Sequence, residues 1–196
     1  MATSVVAIVN NALIKVGANS ITSLTENSEA ARAANLVYAQ LRDTVLRDHP
    51  WNFAVTRAAC ALDSNTPAFD WSYQYFLPDG CLRVLRLQYV DQEYEVEGRL
   101  ILTNASPCNI KYIAQVTDPN LFDAMFIEAL SARIAAELAV TLAESSTLAK
   151  MMSEVYREKI MDARSIDGME SGNRQLEGST WLDSRLNYGD NVLGSM

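Results

Sequence analysis

The chain has 196 residues, 49% of them hydrophobic, which is enough for one well-buried core and too few for two large ones, so a single domain with a tail is expected. Sixteen basic residues stand against 24 acidic ones, and the net charge of −8 excludes a surface-wide attraction to nucleic acid phosphates. Three cysteines (Cys60, Cys81, Cys108) without Cys-x-x-Cys spacing and a single histidine support neither a disulfide framework nor a zinc site.

Met1 to Val16 lacks a basic n-region and a long apolar run, and no stretch reaches the roughly 18 apolar residues of a membrane span. Neither export by a signal peptide nor membrane insertion is expected, and a reducing, cytosolic origin fits. In residues 4–16, Val5, Ile8, Val9, Ala12, Leu13 and Val16 recur at spacings of three and four, with Thr3 or Ser4 as N-cap and Gly17 just beyond the end. That pattern predicts a short amphipathic helix. Asn27 or Ser28 can cap a second helix with the stripe Ala30, Ala34, Val37, Leu41 and Val45, leaving Arg32, Gln40, Arg42 and Asp43 on or near its wet side. His49 ends it, because Pro50 pushes its predecessor out of the α region. The histidine is read as a packed or dipole-compensating residue rather than a metal ligand. Trp51 and Phe53 alternate around Asn52, as they would on one face of a strand entering a core.

All five prolines and all three cysteines fall between positions 50 and 119, which marks residues 51–117 as a β region. Strands are expected over residues 53–62, 71–76, 82–90, 93–97, 99–103 and 109–113, paired in an antiparallel sheet. Pro78-Asp79-Gly80 and Glu97-Gly98 supply turns. Asp118 can cap a third helix running from Pro119 to about Ala143. Its two apolar rows are Phe126, Leu130, Ile134, Leu138, Leu142 and Met125, Ala129, Ala132, Ala136, Val140. After a break at Glu144-Ser145-Ser146, a fourth helix turns Leu148, Met152, Tyr156, Ile160 and Ala163 inward and packs on the third as an antiparallel hairpin. The fold class is thus α+β. A domain of residues 1–167 combines a four-helix body (1–50 and 118–167) with an inserted antiparallel β region (51–117).

Residues 168–196 are expected to be a flexible tail, since five of the eight glycines lie there among Ser, Asn and Asp, and such a segment cannot bury enough surface to fold alone. It nevertheless keeps Trp181, Leu182, Leu186, Tyr188, Val192 and Leu193. These favour a tail that orders on a partner over a disordered end with incidental aromatics.

Catalytic motifs are missing: there is no G-x-S-x-G, no Gly-rich phosphate loop and no H-E-x-x-H. Asp91, Glu93, Glu95 and Glu97 could supply the paired carboxylates of a glycoside hydrolase. Residues 93, 95 and 97 share one strand face, however, and a solvated edge that discourages sheet pairing explains them sufficiently. Cys81 reads as a small core residue rather than a nucleophile. Trp71, Tyr73 and Tyr75 read as packing residues, since a stacking platform for single strands would need more basic neighbours. Arg83 and Arg86 are expected to form ion pairs with the acidic strands.

Several of these stretches together carry a family resemblance. They are Ala12-Leu13-Ile14-Lys15-Val16-Gly17, Ile21-Thr22-Ser23-Leu24, residues 30–34, Tyr38, Arg42-Asp43 and His49-Pro50-Trp51-Asn52-Phe53-Ala54. Residues 75–78, Cys81-Leu82-Arg83-Val84, Glu95-Val96-Glu97-Gly98, Tyr112, Thr117-Asp118-Pro119 and Phe126 with its alanine-rich helix continue the series. In order and content, over residues 3–167, they resemble the tail tubular protein A and head-to-tail adaptor (gatekeeper) family of tailed bacteriophages, and the Pro-Trp-Asn-Phe run is the most specific mark. The resemblance implies a structural virion protein, not an enzyme. It would form a ring, usually dodecameric, assembled in the host cytoplasm, that docks under the portal protein and carries tail or nozzle proteins. Double-stranded DNA would be a partner only as passing genome, and no cofactor, metal or membrane is implied. On this reading Trp181, Leu182, Leu186, Tyr188, Val192 and Leu193 dock on the portal, and Pro50, Trp51 and Phe53 are architectural. Two other classes stay open: a virion-associated cell-envelope glycan hydrolase resting on Glu93, Glu95 and Glu97, and a host-derived α+β binding module.

Overall fold

The computed structural model describes residues 3–170. Four helices and seven strands follow in the order α1 (Val5–Val16), α2 (Glu29–Asp48), β1 (Val55–Ala59), β2 (Ala61–Leu62), β3 (Tyr73–Phe76), β4 (Cys81–Leu87), β5 (Tyr94–Glu97), β6 (Leu100–Thr103), β7 (Asn109–Ala114), α3 (Ala124–Leu142) and α4 (Ser146–Glu170). The α+β class expected from the sequence is the observed one.

The helix ends obey local chemistry. Ser4 Oγ accepts from the Ala7 N–H, and Gly17, at φ 75°, closes α1 in the left-handed conformation that glycine adopts at least cost. Ser28, not Asn27, caps α2, its Oγ accepting from the Ala31 N–H. In the loop between these helices, Glu26 Oε2 accepts from both the Thr22 N–H and the Thr22 hydroxyl at 2.8 Å. Those bonds hold its carboxyl down at about 2, from an ordinary 4.5.

α3 is the central element and packs against α1, α2 and α4. Its alanines at 129, 132, 135, 136 and 139 are all buried and allow close approach of the neighbouring helices, and Ser131 donates to the Ile8 carbonyl of α1. The third helix does not begin at Pro119. Asp118 caps only a single 3-10 turn, Pro119–Leu121, after which Phe122 and Asp123 are extended and Asp123 Oδ1 caps α3 through the N–H groups of Met125 and Phe126. The break lets the Phe122 ring reach Phe53 and Phe126, at centroid distances of 5.8 and 5.0 Å. Val140, expected in the second apolar row, is 58% exposed. Arg42, expected on or near the wet side of α2, is buried, because Asp43 pairs with it at 2.8 Å and the Tyr38 ring lies beside its guanidinium.

The β region forms two antiparallel sheets rather than one, ordered β1-β7-β4 and β2-β3-β6-β5. The segment predicted as one strand over residues 53–62 breaks at Cys60, so that β1 pairs with β7 while β2 crosses to pair with β3. The Glu97-Gly98 hairpin between β5 and β6 has Gly98 at φ 58°, a backbone position glycine fills without strain. A small core of Tyr75, Leu87, Ile101, Cys108, Ile110 and Tyr112 joins the sheets. A larger core fills the space among the helices and takes in Trp51, Ala54 and Ile113.

Residues 52–54 are a turn, not a strand: the N–H groups of Ala54 and Val55 both donate to the Trp51 carbonyl. Trp51 and Phe53 are therefore not placed side by side by strand alternation. They meet because the turn stacks them, at 6.1 Å, and both rings contact Phe126 at 5.1 Å. Trp51 is 0% exposed, and Trp51→Ala should lower the unfolding free energy by about 3 to 5 kcal/mol in urea titration. Glu26 contributes stability that is present above its unfolded pKa and lost as pH falls through its depressed folded value. Glu26→Gln should accordingly flatten the stability profile between pH 4.5 and about 2, followed by thermal melts across that range.

Candidate functional site

The feature that organises the molecule is the corner at residues 49–53, together with the last turn of α4. His49 is extended at φ −132° and ψ 145°, as a residue preceding proline must be, and it terminates α2. Trp51 folds back beneath that helix, its indole N–H donating to the Val45 carbonyl at 3.0 Å, and its ring meets His49 edge-on at 4.7 Å. Asn52 sits at the tip of the turn with its backbone N–H and side-chain amide directed at α4.

Asp167 receives both sides of the corner. Its Oδ2 lies 3.0 Å from His49 Nε2, its Oδ1 accepts from the Asn52 N–H at 2.8 Å, and its own carbonyl accepts from Asn52 Nδ2 at 2.7 Å. One turn earlier, Arg164 pairs with Asp48 at the end of α2. A carboxylate that is only 8% exposed would be costly without such donors. The corner thus clasps the end of α4 to the end of α2 and fixes the point from which residues 171–196 leave the described structure. Helix α4 itself runs through Gly168 to Glu170, past the boundary expected at residue 167, because Asp167 is a buried anchor rather than the start of a linker.

Pro50, Trp51 and Phe53 occupy this corner, where the rings of Trp51 and Phe53 both contact Phe126. Trp181, Leu182, Leu186, Tyr188, Val192 and Leu193 lie outside the described residues. Sequence reasoning missed Asp167, although a signal existed: Ile160, Ala163 and Asp167 continue the inward row of α4 at spacings of three and four. A carboxylate on an apolar stripe demands a partner, and the single histidine is that partner.

The other candidates are dispersed. β5 is an edge strand with Glu95 and Glu97 exposed along it, while Glu93, expected on the same strand face, is exposed just before the strand begins at Tyr94; Glu95 Oε2 accepts from the Trp71 indole N–H at 3.3 Å. Trp71 precedes β3 instead of sharing its face with Tyr73 and Tyr75. Tyr75 is buried, its hydroxyl donating to the Ala105 carbonyl. Burial pushes the Cys81 thiol up, the opposite of what a nucleophile requires. Cys60 and Cys108 are neighbours whose thiols hydrogen-bond to each other, which lowers the pKa of Cys60 and raises that of Cys108. Arg83 and Arg86 make no ion pair among the described residues. Arg86 donates to the carbonyls of Leu87 and Gln88 instead, which corrects the expectation of pairing with the acidic strands. Among the described residues no group of three or more His, Cys, Asp or Glu could hold a metal ion, and no helix is long and apolar enough to cross a membrane.

No protein-family model matches the sequence, and no curated protein matches it.

Asp167→Ala removes the acceptor of the Asn52 N–H and the partner of His49, and should cost about 1 to 3 kcal/mol. Hydrogen exchange should accelerate at the amides of residues 164–170, while those of α1 keep their protection. Asp167→Asn, which retains an acceptor for Asn52, should cost less.

Proposed function

We propose that the chain is a structural virion protein, a head-to-tail adaptor that forms a ring between the portal protein and the tail or nozzle and lines part of the DNA channel. The single observation that supports this best is the clasp of Asp167 on His49 and Asn52. It roots the C-terminal segment on the Pro-Trp-Asn-Phe corner, the stretch in which the resemblance to the adaptor family is most specific. A segment carrying Trp181, Leu182, Leu186, Tyr188, Val192 and Leu193 can then order against a neighbouring ring from a rigid base, with the aromatic and aliphatic anchors supplying most of the binding.

The charge agrees with the channel role. A net −8 repels the phosphate backbone, so a genome would slide past without adhering. The alanine-rich α3, packed against three other helices, gives the stiffness a load-bearing ring needs. Subunits would meet by heterologous contacts, which close into a ring when the rotation between copies permits. Virion localisation at the head-tail interface and assembly in the host cytoplasm follow from this reading.

Pull-down on purified portal rings tests it. The full-length chain should be retained, and a truncation after Glu170, which keeps the whole of α4, should lose retention while its thermal midpoint is preserved. Equal retention of the truncated chain would remove the docking role of the tail, and failure of the full chain to bind any portal would remove the adaptor reading.

A further inference from the structure

We propose that Cys60 and Cys108 form a redox modification site, a thiol pair that a peroxide closes to a cross-strand disulfide, locking together the two points where the chain passes between its sheets. Neither the pairing nor its chemistry depends on the adaptor reading.

The β1-β7 ladder sets the two residues face to face. Its register runs from Val55 opposite Ile113 to Ala59 opposite Asn109, and one step further the Cys60 N–H donates to the Cys108 carbonyl at 2.9 Å. At the other end of the ladder the Ala114 N–H donates to the Ala54 carbonyl at 2.8 Å, so the alternation is kept throughout and Cys60 and Cys108 fall on a hydrogen-bonded pair. Opposed residues of that kind have Cα atoms about 5.5 Å apart, which is within the commonest separation across a disulfide. Both side chains point to the same face, into the small core with Ala58, Ile110 and Tyr112, and the two thiols hydrogen-bond to each other there. Cys81 is not the partner, because it lies opposite Ala114 at the far end of β7. Sequence spacing conceals the pair, since β2 to β6 all lie between its members.

The two thiols differ in the way the chemistry needs. Cys60 is half-buried, within reach of a small oxidant, and the bond from Cys108 holds its thiol below the ordinary value. Cys108 is 1% exposed, and the same bond together with burial pushes its thiol up. Cys60 therefore attacks and Cys108 resolves. The Cys60 thiolate sulfur takes one peroxide oxygen, the O–O bond breaks, and the departing hydroxide leaves as water with the proton Cys60 gave up. Cys108 sulfur then attacks the sulfenic sulfur, the S–O bond breaks, and a second water carries off the Cys108 proton. Two thiols are oxidised to one disulfide, and hydrogen peroxide is reduced to two waters.

The bond would act at a junction of the fold. Cys60 is the residue at which the chain leaves β1 for β2 in the other sheet, and Cys108 the one at which it returns from β6 to β7. Joining them ties both crossings at one point and closes residues 60–108, which hold the whole four-stranded sheet, into a loop. Such a loop removes freedom chiefly from the unfolded chain. Reducing surroundings keep the pair as thiols, and oxidising ones set the lock.

The test treats the reduced full-length chain, freed of reductant, with hydrogen peroxide under native conditions and maps it by non-reducing peptide mass spectrometry. A peptide linked through Cys60 and Cys108 should dominate, with Cys81 left as the thiol, and the same treatment in urea should lose that preference. The thermal midpoint should rise by roughly 5 to 15 °C and fall back when dithiothreitol is added. Cys60→Ser or Cys108→Ser should abolish the rise, and Cys81→Ser should retain it. The wild-type rise and its reversal are read on one sample, so the result holds however the variants fold. Persistence of all three thiols overturns the site, as does a link through Cys81 or between two chains. Cys60 carried on to sulfinic acid beside an intact Cys108 thiol removes the resolving step, and a linked peptide without a higher midpoint removes the lock.

Discussion

Pro50 denies α2 another turn, and the chain responds by turning the Trp51 indole back beneath the helix it has just left, with the N–H on the Val45 carbonyl. Everything downstream is positioned by that reversal. The fully buried ring fills the space between α2 and the first turns of α3, where Phe126 meets it edge-on, and Phe53 and Phe122 close the cluster. β1 then departs from the turn that the Ala54 and Val55 N–H groups close on the Trp51 carbonyl, and Asp167 seals the outer side of the same turn from α4. Four elements distant in sequence are set by one tryptophan and one carboxylate.

The β region is attached to this body by shared residues rather than by a loose joint. Along β7, Ile110 and Tyr112 face the small core between the sheets, while Ile113 faces the large core among the helices. A strand whose successive side chains serve two cores cannot rotate without opening both. Polar ties run along the same seam: Gln115 donates to Asp43 of α2, and Arg47 of α2 donates to the Leu82 carbonyl of β4. The helical body and the β region thus share a continuous seam of core residues and hydrogen bonds.

Much of this was legible in the sequence. Gly17 announced the end of α1, and the starts of α1 and α2 could be placed to within one residue (Thr3 or Ser4, Asn27 or Ser28), because capping is a local matter settled within four residues. The α+β class and the Glu97-Gly98 hairpin could be read for the same reason. What could not be read depended on distant partners. The 3-10 break before α3 places Phe122 against Phe53, some seventy positions earlier in the chain; Asp123 offered a local cap for the later start, but Asp118 and Pro119 offered an equally local one for the earlier start, and only the distant ring contact distinguishes them. Arg42 reads as lying on or near the wet side of α2 because an arginine on a helix usually goes there, whereas Asp43 and Tyr38 make its burial tolerable. The division of residues 53–62 between two sheets turns on which neighbour each strand finds, and β propensity is silent about that. At the corner, the sequence supplied Pro50, Trp51 and Phe53 but not Asp167, whose role appears only when its place on the inward stripe is matched with His49.

Gly168 follows the clasp immediately, in open space and inside a helix, where glycine is about 1 kcal/mol less favourable than alanine. Tension applied to residues beyond 170 would therefore reach the molecule through its weakest helical turn first. The three residues from 168 to 170 would unravel and lengthen, while Asp167, held by two donors from Asn52 and one contact to His49, would keep its position. Such an arrangement would place the first extension outboard of the clasp, while the contacts of Asp167 keep the same geometry until the load itself rises.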